Sequence, residues 1–175
     1  MMKQFALILL VATAISGCST LKLAKLLKQG DVEQPAFKAE IPFEMRMGLV
    51  VVKVNIKGKD YDFLVDTGAP NVITKELAAE LQLETKVEQK TGDSQGKKEV
   101  LQFAEMPEML IGGVHFIEMG TAIADLKRSN EIACLDVDGF VGANLMKEAV
   151  WQFDYERKVI TVSDNRSAFE IPSTA

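Results

Sequence analysis

The chain has 175 residues, with 20 Lys and Arg against 25 Asp and Glu, one His and two Cys. That is a chain of one ordinary domain with a modest acidic balance, and it lacks the clustered cations that a nucleic-acid partner demands. One His and two Cys also fall short of a usual zinc site, so no metal and no cofactor are expected.

In chain order, residues 1–4 carry one cation, Lys3, and residues 5–15 are apolar apart from Thr13. Small residues Ser16 and Gly17 then lead to Cys18. A charged start, a short apolar centre and a small-residue site make residues 1–17 a signal peptide, too short to span a bilayer stably. Ile15-Ser16-Gly17-Cys18 resembles a bacterial lipobox. The resemblance implies that Cys18 becomes the lipidated first mature residue. With Ser19 next, it implies the outer membrane, periplasmic face. Cys134 would then be the remaining free thiol, and among Ile132, Ala133 and Leu135 it reads as buried and inert.

Residues 18–40 read as a tether. Leu21, Leu23, Leu26 and Leu27 alternate with Lys22, Lys25 and Lys28, a pattern for a basic turn on headgroups or a short helix packed on the domain. Residues 31–40 are polar around Pro35 and read as linker. The domain is expected over 41–165, with a loose tail over 166–175.

Within it, Val50, Val52, Val54 and Ile56 alternate as in a strand, Lys57-Gly58-Lys59-Asp60 turns, and residues 61–66 return. Residues 67–71 form a tight turn, and Thr74 caps a helix over 75–83. Residues 88–99, with Gly92 and Gly96, read as the tip of an exposed hairpin. Strands are expected on either side of Gly112-Gly113 and over 121–124. A short helix is expected over 144–148, and a final hairpin over 150–154 and 159–162. Many short strands with one or two short helices make a mainly β, barrel-like domain.

Phe63-Leu64-Val65-Asp66-Thr67-Gly68-Ala69 places a carboxylate at the end of an apolar strand, which is costly without a purpose. Phe140-Val141-Gly142 with Ala143-Asn144-Leu145-Met146 follows after the Gly-bearing hairpin. In this order the two motifs resemble those of the retropepsin-like aspartic proteases. The resemblance spans residues 50–146 and implies an acid-protease barrel. It implies that Asp66 is the catalytic acid, with Thr67 bonding across a dimer, and that Gly68 and Ala69 complete its loop. Phe140, Val141 and Gly142 would brace that loop, and Gly92 and Gly96 would belong to a flap. Pro70 and Asn71 stand where retroviral members carry acidic residues.

A peptide bond is hydrolysed in this chemistry by two carboxylates sharing one proton. One Asp-Thr-Gly per chain means that the second carboxylate comes from a homodimer partner. The expected activity is thus a membrane-anchored aspartic endopeptidase acting on a peptide or protein. A non-catalytic peptide-binding lipoprotein on the same fold is the alternative. A third reading, from Gly92-Asp93-Ser94-Gln95-Gly96, is a serine hydrolase using Ser94, with His115 the only candidate base. Asp136 and Asp138 beside Gly139 read as turn residues before calcium ligands.

Overall fold

The computed structural model describes residues 19–92, 98–128 and 130–169. The signal peptide, Cys18, Ser94 and Gly96 therefore lie outside the described residues. Among the described residues no helix is long and apolar enough to cross a membrane.

Three two-residue turns build the sheet. Met47–Gly48 joins β2 (Lys38–Arg46) to β3 (Leu49–Ile56), and Lys57–Gly58 joins β3 to β4 (Lys59–Asp66). Gly112–Gly113 joins β7 (Lys98–Ile111) to β8 (Val114–Ala124). All six turn residues have φ between 51° and 86°, the left-handed pair that matches the twist of adjoining strands. β6 (Thr85–Gly92) returns as β7, and β10 (Val150–Asp154) returns as β11 (Val159–Ser163). The strand expected over 121–124 is the end of the eleven-residue β8.

The central topology is non-local. β9 (Gly139–Gly142) lies between β4, which it pairs in parallel, and β5 (Asn71–Thr74), which it pairs antiparallel. β5 pairs in parallel with β8, β8 pairs with β7, and an Asn55–Leu110 contact between β3 and β7 closes the ring. The fold is mainly β, as the sequence predicts.

Both faces of the ring strands are apolar, and alternation sorts the residues between two cores. Val52, Val54, Phe63, Ile73, Val141 and Leu145 fill one, with Met106, Met109 and Phe116. Val51, Leu64, Val72, Phe103, Ala122 and Phe140 fill the other. Each fully buried side chain of this size contributes about 1.5–3 kcal/mol, so the ring holds without a cross-link.

Helix α2 (Lys75–Glu80) starts where expected, the Thr74 hydroxyl accepting from Leu77 N at 3.2 Å. Helix α4 (Ala143–Met146) follows β9 directly. Of two further helices, only the one before β9 was not expected. In α1, residues 19–28, Leu26 is buried and Leu23 and Leu27 pack beside it in the second core. Lys22, Lys25 and Lys28 face outward. Of the two readings of this segment, the structure supports the helix packed on the domain. The contact is close, since a Cβ on Gly120 would fall 2.2 Å from Leu26 O. α3 (Asn130–Ala133) precedes β9.

Two expectations need correction. Residues 31–40 are not linker, because β1 (Asp31–Val32) pairs with β8 and β2 begins at Lys38 against Ser163 of β11. Ala39, Ile41 and Phe43 turn inward while Lys38, Glu40, Pro42 and Glu44 stay exposed, so the polar half of an alternating strand reads as loop. Cys134 is exposed rather than buried, because Leu135 and, in part, Ile132 take the inward positions. Ser163 ends β11, one residue beyond the strand expected over 159–162, its hydroxyl donating to Phe37 O at 2.9 Å.

Candidate active site

Asp66 is the last residue of β4, half-buried, on the face it shares with Leu64. Its parallel neighbour on β9 is Gly142, so no side chain stands beside it across the ladder. One oxygen, Oδ1, accepts from Gly68 N at 2.8 Å. A Cβ at Gly68 would lie 3.3 Å from that same oxygen, a tight approach that glycine relieves. Thr67 and Gly68 are exposed, and Ala69 is partly buried against the second core. The loop therefore presents a fixed carboxylate and an open backbone at the end of the sheet.

The loop is braced from behind. Ala143 N donates to Ala69 O at 2.8 Å. A Cβ on Gly142 would meet Pro70 C at 2.0 Å and Pro70 O at 2.3 Å, so only glycine lets β9 approach the loop this closely. Phe140 and Val141 fix β9 by burying one side chain in each core. The structure thus places Phe140, Val141 and Gly142 on β9, behind the loop that follows Asp66.

Two amides complete the brace, and sequence reasoning gave neither a role. Asn71 N donates to Asn144 Oδ1 at 2.6 Å, and Gly142 N donates to Asn71 Oδ1 at 2.8 Å. Asn144 Nδ2 donates to Gly120 O at 2.7 Å. Both side chains are buried, and a buried amide left without partners costs about 1–3 kcal/mol, so each must sit where its partners are. The legible signal was a polar residue at the start of each of two otherwise apolar segments, 71–73 and 144–146.

A charge cluster holds the approach to β9. Asp62 faces Lys53 at 2.7 Å and Arg46 at 2.8 Å, and Arg46 also donates to Leu135 O and Asp136 O. Asp138 Oδ2 accepts from Asp62 N at 3.0 Å, which makes Asp138 a turn anchor. Burial opposes the charge of Asp62, but the bonds from Lys53 and Arg46 outweigh it and hold its carboxyl below the usual carboxylate range. A depressed folded value stabilises in full above the unfolded value near about 4, and the gain is lost as pH falls through the folded value. Asp62→Asn is thus expected to cost about 1–2 kcal/mol at neutral pH, with the gap closing in acid. Urea unfolding at pH 7 and pH 3 checks this; an equal gap at both would contradict it.

Of the remaining candidates, the structure describes Gly92 and His115. Gly92 ends β6 opposite Lys98, at the outer end of the β6–β7 hairpin. His115 lies opposite Leu110 near the other end of β7, about 40 Å of strand from Lys98 at roughly 3.3 Å per residue. Its Nδ1 bonds the Glu108 carboxylate, with Glu33 at 3.7 Å. Ser94, the other member of the expected pair, lies outside the described residues. Among the described residues no three His, Cys, Asp or Glu are grouped to hold a metal.

A family model described as aspartyl protease matches residues 52–145, more than half of the chain, from within β3 to within α4. The fold is similar to that of a retropepsin-like aspartic protease from Rickettsia conorii, with a TM-score of 0.50 and 18% identity. That likeness covers 77% of this chain and 94% of the other. A search of curated proteins gives no match.

Proposed function

Since the chain belongs to the aspartyl protease family, we propose that it is an endopeptidase whose catalytic dyad is Asp66 and the Asp66 of a second copy. The observation that carries the reading is a half-buried carboxylate at the end of an apolar strand, set by Gly68 N and braced through Gly142. One such carboxylate cannot perform the chemistry alone. Two of them a few ångströms apart share one proton, as aspartic-protease dyads are known to do. The ionised member takes a proton from the attacking water, and the protonated member donates to the scissile carbonyl. The tetrahedral intermediate then collapses as a proton passes to the leaving nitrogen.

The surrounding parts fit this use. The exposed Gly68 backbone lets an extended peptide approach. The β6–β7 hairpin is the candidate flap, and closing it would exclude water. In this reading Cys18 carries the lipid that holds the protein at the periplasmic face of the outer membrane, with α1 following directly.

The test is cleavage of a diverse peptide pool by the full-length protein in detergent. Cleavage should favour acid, fall on either side of the single-proton state and be blocked by pepstatin. Sustained absence of cleavage, with peptides still bound, would replace this reading with the peptide-binding lipoprotein.

A further inference from the structure

The end of the sheet that carries Asp66 also carries uncovered apolar surface. β3 and β4 pair antiparallel up to Val51 and Leu64, so Leu49, which starts β3, and Asp66, which ends β4, lie at the same end. The Met47–Gly48 turn and the catalytic loop therefore leave the sheet at the same end. There Met45, Met47 and Leu49 are 40%, 71% and 45% exposed, half of the large exposed hydrophobics among the described residues.

The tip is held in place. Arg46, between the two methionines, ion-pairs with Glu44 and Asp62 and donates to the backbone of residues 135 and 136. Met47 itself sits at φ 51°, where a turn favours Asn, Asp or Gly. Methionine gains nothing from that geometry, and its side chain stands in water. A fixed apolar tip at a position whose backbone would prefer a polar residue is what a contact surface would explain.

We propose that Met45, Met47 and Leu49 dock against a second copy of this chain, beside the axis that brings the two Asp66 carboxylates together. The inference rests on the dyad reading, under which the site is incomplete without that copy. The C-terminal strands are less available for the purpose. β11 is paired on both sides, by β2 and β10, leaving one edge of β10 open. Three side chains cover far less than the roughly 800 Å² per partner of a stable interface, so the dimer is weak and responds to local concentration. Tethering at a membrane raises that concentration.

The full-length protein in detergent tests this by sedimentation across concentration, with peptide cleavage read in parallel. Met47→Asn suits the turn and keeps the hairpin. Paired with Leu49→Asn, it should raise the dimer Kd tenfold or more with the circular dichroism spectrum unchanged. The concentration giving half-maximal cleavage should rise by the same factor. Leu21→Asn, an exposed apolar site outside the tip, should change neither. Asp66→Asn should still dimerise while failing to cleave, which separates assembly from chemistry. A wild type that stays monomeric, or a Kd indifferent to the tip substitutions, would overturn the proposal. If the tip substitutions weaken the dimer but no form cleaves peptide, the interface stands and the protease reading falls.

Discussion

Asp66→Asn is expected to lower peptide hydrolysis by about 10³-fold or more while leaving the fold intact. Asn retains an oxygen that can accept from Gly68 N, so the loop keeps its 2.8 Å bond. What it loses is the capacity to share the dyad's proton and to take one from water. Two like charges at a dimer axis repel, so the substitution should leave thermal stability unchanged or raise it. Steady-state cleavage together with a thermal melt checks both halves. Wild-type turnover by this variant would remove Asp66 from the chemistry.

Gly142→Ala carries the second large effect, and it works through space rather than charge. The added methyl would sit 2.0 Å from Pro70 C, inside any tolerable contact, and the three nearest atoms are all backbone. Either β9 or the 68–71 loop must move. Overpacking of this kind costs about 1–3 kcal/mol. The movement also displaces the carboxylate, and a shift of about 1 Å at a reacting group can cost about 10²-fold in rate. Loss should therefore appear in kcat, at temperatures where the variant is still folded. A variant with full activity would show that the loop does not depend on this approach.

The parts of the fold legible in the sequence were those fixed by neighbours in the chain. The β3–β4 hairpin could be read because alternation and the Lys57-Gly58 turn are local signals. Asp66 stood out because a carboxylate ending an apolar strand contradicts its surroundings. The insertion of β9 between β4 and β5 could not be read from local pattern, since Leu64 and its partner Phe140 are far apart in the sequence. The same distance hid β2, whose partner β11 lies near the other end of the chain. Asn71 and Asn144 were missed for a related reason. Each looks like an ordinary turn or helix-start residue until the fold buries them together. Cys134 misled because apolar sequence neighbours do not fix which side of a short helix faces inward.

The central claim, two Asp66 carboxylates from two copies in one site, is tested most directly by co-expressing wild type with Asp66→Asn in varied ratios. If both acids of the dyad are required and the copies pair at random, activity follows the square of the wild-type fraction, so an equal mixture retains about a quarter. Activity in simple proportion to the wild-type fraction would mean that each chain works alone, and it would contradict the account.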